Sequence, residues 1–330
     1  MKAIVWGAGA IGLQRIQALC SNPKITEVLV HDPAKTPVLP VKARFISQEE
    51  SYSTTAELAI IATPHDVAAR ILPKAAEKIP FILLEKPLGR TGAEALELMQ
   101  AAEKNQCRLF VGFNYRFLKN IQTLKSLIKA GSLGKFLGAD CVLAHGANPG
   151  YEKSWKTDFN QCGGGVCIDP GVHVLDLLTW LVGPLQLQSG ALSKCFWEIS
   201  VEDHAHLQLQ TREGALANVS LSISSWKSRF EMTFEFEHSQ VLIRGRGKFY
   251  GDLKLVRVEK WPWLKPEAPR ETEMNFGAED LSFKSETDEF VRVASGGVED
   301  LTIATAEESL QIMQLVDACY RLPRLWESNK

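Results

Sequence analysis

Over the first third of the chain, short unbroken apolar runs alternate with stretches in which apolar residues recur every three or four positions. Ala3–Trp6 is the first run; Gly7-Ala8-Gly9-Ala10-Ile11-Gly12 follows it, then a helical stretch with Ile11, Ile16 and Leu19 on one side, stopped by Asn22-Pro23. Val28–Val30 predicts a second strand ending at His31-Asp32-Pro33, and Leu58–Ala62 a third closed by Thr63-Pro64, with an irregular region between them. Phe81–Leu84 predicts another strand, ending in Glu85-Lys86-Pro87, and Leu109–Val111 one more. Ala68, Ile71, Leu72 and Ala75 share one helix face, and Thr91-Gly92-Ala93-Glu94 is a capping box opening a helix that ends near Asn105. Continuous apolar strands separated by amphipathic helices predict a parallel sheet covered on both faces.

The pattern then changes. A helix carrying Phe117, Ile121, Leu124, Leu127 and Ile128 is stopped by Gly131, and from Phe136 to about Lys260 the period is mostly two. Ala217, Val219, Leu221 and Ile223 alternate with Asn218, Ser220, Ser222 and Ser224, while His204, His206 and Gln208 alternate with Ala205, Leu207 and Leu209. Arg212-Glu213-Gly214 joins the two runs as a hairpin. The chain closes on a helix opened by Thr305-Ala306-Glu307-Glu308, with Leu310, Met313, Val316 and Tyr320 on its apolar side. The expected architecture is α/β: a doubly wound parallel sheet in residues 1–116, then an α+β domain with a large, mostly antiparallel open sheet in 117–330. An uncovered apolar face would need a partner, so self-association as a dimer or tetramer is expected.

At ~100–200 residues per domain, the 330 residues fit two domains. Hydrophobic residues at 45% and charged residues at 23% exclude wholesale disorder. The formal net charge of −2 offers no bulk positive field for nucleic acid or anionic lipid. No apolar run approaches the ~18 residues of a membrane span. Met1-Lys2 leads straight into the first strand, which leaves no room for a signal peptide. The expected location is cytoplasmic. Seven scattered cysteines without a CxxC pair read as reduced, mostly buried thiols, and no metal site is expected, even around Cys162 and Cys167.

Two segments carry chemistry. The GxGxxG turn follows a strand and opens a helix, and Asp32 sits 20 residues beyond Gly12 at the end of the next strand. Gly7 permits the tight turn, Gly9 lets the backbone approach a pyrophosphate, and Gly12 lets helix and sheet pack closely. The helix amides then face the phosphates. Asp32 would accept hydrogen bonds from a ribose diol and repel a 2′-phosphate, favouring NAD over NADP, although Lys35 nearby softens that preference. The competing reading is a structural glycine turn with a solvated Asp32. Thr63-Pro64-His65 and Glu85-Lys86-Pro87 fall just past predicted strands, at the edge where open parallel sheets bind ligands. A lysine after a strand is ordinarily a solvated one; its place on this edge singles out Lys86.

The other segment runs from Gly163 through Asp169, Pro170 and His173 to Asp176. Spacings of four and three put Asp169, His173 and Asp176 on one face of a helix. A neutral histidine held near a core can take a hydroxyl proton. The competing readings are an Asp169 N-cap with Pro170 at the first helical position, and a hydrogen-bonded core histidine. Tyr151, Trp155 and Lys156 are candidates for a substrate wall, against ordinary packing, and Trp261-Pro262-Trp263 is read as a loop over the site or a subunit contact.

Taken in order, GAGAIG, Asp32, Thr63-Pro64, Glu85-Lys86-Pro87, Gly112-Phe113-Asn114-Tyr115-Arg116-Phe117, Gly131-Ser132-Leu133-Gly134-Lys135 and GGGVCIDPGVHVLD resemble the glucose–fructose oxidoreductase / inositol dehydrogenase family over most of residues 1–183. The resemblance implies a Rossmann domain plus a mixed α/β domain, NAD(P)-dependent redox chemistry at a sugar, nucleotide-sugar or cyclitol carbon, and dimers or tetramers joined through the open sheet. It also implies a catalytic group, which carries over to Lys86, Asp169 and His173. The candidate cofactor set is then Gly7, Gly9, Ala10, Ile11, Gly12, Asp32, Thr63, Pro64, His65, Glu85, Lys86 and Asn114. The candidate substrate set is Tyr115, Tyr151, Trp155 and Lys156. Two departures concern substrate contacts: His65 and Ala68 stand where members often have Asn and His, and Gly112-Phe113-Asn114 replaces the usual Gly-His. In the expected mechanism His173 takes the hydroxyl proton, Lys86 stabilises the alkoxide, and Asp169 positions substrate or the other two. The alternatives are a nucleotide-binding regulator without turnover and a redox-neutral glycosidase on tightly held NAD.

Overall fold

The computed structural model describes residues 1–259, 268–297 and 301–325, so Trp261 and Trp263 lie outside the described residues. Two compact units emerge. The first comprises Met1–Phe117, Asn160–Gly163 and Leu281–Gln314; the second comprises Leu118–Phe159, Gly164–Asp280 and Leu315–Lys330. A single cut at 116/117 is therefore not how the contacts group the chain. Residues 281–314 return to the first unit because their apolar face, through Phe290, Val291, Val293 and Ile303, fills that unit's core.

In the first unit the strands are β1 (Lys2–Trp6), β2 (Glu27–His31), β3 (Ala43–Phe45), β4 (Leu58–Ile61), β5 (Phe81–Glu85) and β6 (Arg108–Gly112). All pair in parallel, in the order β3-β2-β1-β4-β5-β6. This is the doubly wound order, with its switch point between β1 and β4. Helices α1 (Ala10–Ser21), α2 (Gln48–Ser53), α3 (His65–Ala76) and α4 (Gly92–Lys104) connect them. β3 and α2 occupy the region read as irregular; each is too short and too polar to show a period. Alternate strand residues such as Val5, Val28, Ile60 and Leu83 share one core with Ile16 and Leu19 of α1, while their neighbours Ile4, Leu29, Ile61 and Ile82 are buried on the other face. Ile11, expected on the apolar side of α1, is 37% exposed. The capping box at α4 is half made: Thr91 accepts the Glu94 amide at 3.1 Å, but the Glu94 carboxylate takes the Arg90 amide and guanidinium instead.

The second unit is built on β7 (Phe136–Ala144), β8 (Leu185–Ser193), β9 (His204–Thr211), β10 (Leu216–Ser222), β11 (Arg229–Phe236), β12 (Ser239–Arg244), β13 (Lys254–Glu259) and β14 (Glu271–Asn275). The sheet order is β14-β13-β12-β11-β7-β10-β9-β8, antiparallel except for β7–β10. The expected hairpin is β9–β10, with Leu207 opposite Val219. α5 (Lys119–Lys129), α6 (Phe159–Cys162) and α7 (Gly171–Val182) precede β8, and α7 packs on β7. The other sheet face is polar. Asp140, Ser189, His206, Gln208, Asn218 and Ser220 line a shallow recess on it, so an uncovered apolar face does not by itself call for a partner. Beyond this sheet come α8 (Ser282–Ala294), β15 (Ala304–Thr305), which adds antiparallel to β6, and α9 (Ala306–Cys319). The box opening α9 is complete, with Thr305 and Glu308 each accepting the other's amide. Leu310 and Tyr320, expected on its apolar side, are half-buried, and Ile312 and Cys319 are buried with Met313 and Val316. Among the described residues no helix is long and apolar enough to cross a membrane.

Candidate functional site

The carboxyl edge of the parallel sheet gathers the first set of predicted residues. Gly7 leaves β1 at φ +98°, and a Cβ there would stand 2.4 Å from the Ala62 carbonyl oxygen. A Cβ on Gly12 would stand 2.0 Å from the Gly7 oxygen, whereas one on Gly9 would meet nothing within 4 Å. The turn is tight against protein at its two ends and open at its middle. Gly9 is the N-cap of α1, with no side-chain cap and no acidic residue in the first turn, so the free amides of Ala10 and Ile11 are not satisfied from within. This is a cradle for an anion.

Asp32, at the end of β2, holds the turn from the side. One carboxylate oxygen accepts the Ala8 amide at 2.7 Å, the other those of Ala34 and Lys35 at 2.8 Å each. A carboxylate has about four acceptor positions, so one remains for a hydroxyl while the negative charge is fixed beside the turn. Thr63 and Pro64 leave β4 half-buried, Pro64 being the N-cap of α3. His65 is buried, and its Nδ1–H donates to the Cys162 carbonyl at 2.8 Å.

Glu85 and Asn114, both in the expected cofactor set, are committed to the protein. Arg15 of α1 is fully buried and reaches Glu85 at 2.6 Å and Glu286 of α8 at 2.5 Å, with Thr287 accepting at 3.1 Å. Burial pushes Glu286 up to about 7 against the pull of Arg15. This cluster ties α1, the end of β5 and α8 together at the residue before Lys86, which is half-buried and is followed by a cis peptide to Pro87. Asn114 is 2% exposed and donates to Ser282 at 2.7 Å, and Tyr115, expected at the substrate, is 5% exposed.

In the second unit, Asp169 is not on the helix with His173 and Asp176. Pro170 is the N-cap and α7 starts at Gly171, so Asp169 sits in the preceding turn, its amide on the Gly165 oxygen and a cis peptide to Pro170. This also removes the reading of Asp169 as N-cap. His173 and Asp176 share the buried first turns of α7, at 4% and 1% exposure. Lys156 joins Asp169 directly, Nζ to Oδ2 at 2.5 Å, and its ammonium lies 6.0 Å from the Trp155 ring. Tyr151 packs 5.7 Å from Trp197.

Sequence reasoning missed what supports the Asp169 turn. Glu202, 2% exposed, accepts the Gly165 amide at 3.1 Å, the Cys167 amide at 3.0 Å and the Tyr320 hydroxyl at 2.7 Å. Burial raises its carboxyl above the usual range although these donors pull it down. The glycine run exists for this strut: a Cβ on Gly164 would stand 1.9 Å from the Tyr320 oxygen, and one on Gly165 2.0 Å from the Glu202 carbonyl. Partners 35 and more positions apart leave no local signal. In the alternation Glu202 falls in phase with the polar positions Ser200, His204 and His206, so the pattern does not mark it either.

Known proteins share this organisation. A family model described as "Oxidoreductase family, NAD-binding Rossmann fold" matches residues 1–113, and one described as "GFO/IDH/MocA C-terminal domain" matches residues 121–244. The chain is 31% identical over 190 residues to the rhizopine catabolism protein MocA of Rhizobium meliloti, covering 54% of this chain and 56% of that one. It is 33% identical over 135 residues to levoglucosan dehydrogenase of Pseudarthrobacter phenanthrenivorans, covering 40% and 35%. The chain thus spans about half, or less, of the length of these curated relatives. In fold it is similar to a solved levoglucosan dehydrogenase in complex with NADH, at TM-score 0.81 and 18% identity over 97% of this chain and 96% of the other.

Proposed function

The chain belongs to the GFO/IDH/MocA family of oxidoreductases, and we propose that it is an NAD-dependent dehydrogenase or reductase acting on a secondary alcohol or ketone carbon of a sugar, nucleotide sugar or cyclitol. The observation that carries the reading is the turn at Gly7–Gly12, closed by backbone at both ends and open at Gly9, with Asp32 fixed beside it. These residues fit a dinucleotide: the amides at the start of α1 for the pyrophosphate, Asp32 for the adenosine ribose, Thr63 and Pro64 along the same edge. The fixed Asp32 charge favours NAD, with NADP the weaker ligand. Bound there, the nicotinamide supplies the acceptor or donor of a hydride.

The chain's own groups handle the proton and the charge. His173 takes the proton of the substrate hydroxyl at a ring nitrogen, and returns it in the reverse direction. The Lys86 ammonium donates a hydrogen bond to the same oxygen and stabilises negative charge as it develops. Asp169, held by Lys156, fixes the orientation of substrate hydroxyls. That a matched relative is a levoglucosan dehydrogenase supports the carbohydrate class. Seven free cysteines support a reducing, cytoplasmic location, and the polar open face of the second sheet is the surface we assign to self-association.

A panel of sugars, nucleotide sugars and cyclitols, followed by nicotinamide absorbance, tests the reading. Turnover with a panel member should fall by roughly 10²–10⁴-fold in Lys86→Met and His173→Asn, with NADH affinity nearly unchanged. Turnover at the wild-type rate in Lys86→Met removes the assignment.

A further inference from the structure

Between β8 and β9 lies a group of side chains that the proposed reaction does not use. Cys195, Asp203 and His204 bring a thiol sulfur, a carboxylate oxygen and an imidazole nitrogen within 4.8 Å of one another. We propose that these three side chains form a binding site for a zinc-type divalent cation, with Cys195 Sγ, Asp203 Oδ1 and His204 Nδ1 as ligands and water in the fourth position. The site is independent of hydride transfer.

Asp203 is already fixed and His204 lies against it. Asp203 is fully buried, and its Oδ2 accepts the amides of Phe196 at 2.8 Å and Trp197 at 2.9 Å. Its Oδ1 accepts the Cys195 amide at 2.9 Å and the His204 Nδ1–H at 2.8 Å. Burial works to raise the Asp203 carboxyl, but the hydrogen bonds from His204 and the three amides outweigh it and keep the group ionised. A tetrahedral cation about 2.0–2.2 Å from Oδ1 and Nδ1 needs them about 3.4 Å apart, so the part-exposed His204 ring backs away by roughly half an ångström from its present 2.8 Å as the cation replaces the bridging hydrogen.

His204 has somewhere to put that hydrogen. Its Nε2 faces the hydroxyls of Ser222 at 3.1 Å and Ser224 at 3.0 Å, and hydroxyls accept as well as donate. The ring changes tautomer, so that Nδ1 offers its lone pair and Nε2–H donates to a serine oxygen. A metal-bound imidazole held by an oxygen at its other nitrogen is the usual outer arrangement of such sites. Cys195 supplies the third ligand and is the exposed one among seven cysteines, next to the Ser193 hydroxyl at 3.2 Å. Rotation of an exposed side chain brings Sγ to the ~2.3 Å of a zinc–sulfur bond without disturbing the core. The protons balance: the hydrogen on His204 Nδ1 moves to Nε2, and the Cys195 thiol gives one proton to solvent as its sulfur binds the cation. A thiolate with an imidazole selects zinc or cobalt over magnesium or calcium.

The test is a titration of the reduced, metal-stripped full chain with Zn(II) and, separately, Co(II) and Mg(II). One equivalent of zinc should bind with release of one proton, read by calorimetry in two buffers of different ionisation enthalpy. Co(II) should show a thiolate-to-metal charge-transfer band, and Mg(II) should not bind. Cys195→Ser, a surface change, should abolish that band, and His204→Gln should weaken zinc binding by more than roughly tenfold. Both variants should keep the wild-type circular dichroism without metal. The proposal is overturned by an absence of zinc binding at micromolar concentration, or by zinc affinity and a cobalt band that survive unchanged in Cys195→Ser.

Discussion

The chain uses glycine-rich segments in two places for opposite reasons. At Gly9, the middle of the Gly7–Gly12 turn, the missing side chain leaves room: nothing in the protein comes within 4 Å of where its Cβ would stand. At Gly164–Gly165 the missing side chains leave none, because the Tyr320 hydroxyl and the Glu202 backbone occupy the positions a Cβ would need. One segment is open toward a ligand, and the other is packed by the chain itself into the turn that carries Asp169. Composition cannot tell the two apart; the neighbours can.

The sharpest way to break this comparison is Gly165→Ala. Its Cβ would fall 2.0 Å from a backbone oxygen that cannot move aside, so the variant should lose more than roughly 3 kcal/mol in urea unfolding, or fail to fold. Near-wild-type stability would mean that the glycine run is not packed as described. Next is Glu202→Ala, which leaves two buried amides and the Tyr320 hydroxyl without an acceptor and should cost on the order of 3 kcal/mol. Glu202→Gln keeps one acceptor oxygen and should lose clearly less; equal losses would show that hydrogen bonding is not the reason for the residue.

A smaller effect concerns the Arg15 cluster in the first unit. Glu286 is raised to about 7 from an ordinary 4.5, so the folded chain holds it protonated over a range where the unfolded chain has ionised it. Its contribution is complete below that ordinary value and is lost as pH rises through about 7. Thermal midpoints of wild type and Glu286→Gln between pH 5 and pH 8 should therefore move in favour of the variant as pH rises. A difference that stays flat would contradict the assignment. The smallest effect on folding belongs to Gly9→Ala, whose added methyl enters open space: stability within about 0.5 kcal/mol of wild type, with weakened dinucleotide binding. Unaltered NADH affinity in this variant would say that no ligand approaches there.

The same contrast explains what could be read from the sequence. Strand–glycine–helix order and the strand-length apolar runs are local, so the parallel sheet, its carboxyl edge, the β9–β10 hairpin and the position of Asp32 were legible. The partners of each side chain were not. Glu85 looks like an edge residue until Arg15 and Glu286, 70 residues before it and some 200 after it, close on its carboxylate. Asp169 looks helical by spacing, but α7 begins two residues later, at Gly171. Cys195 and His204 follow no metal-binding spacing, and only the loop between β8 and β9 brings them together.

The most direct measurement is a thermal-shift titration of the wild-type chain with NADH and NADPH in parallel, on protein shown to carry no bound nucleotide. A ligand that binds only the folded state adds about 2.7 kcal/mol at a hundredfold excess over Kd, an easily seen rise. A larger shift with NADH than with NADPH is the expected result, from the open turn at Gly9 and the fixed charge of Asp32. No shift with either would contradict the dinucleotide site and, with it, the roles given to Lys86 and His173.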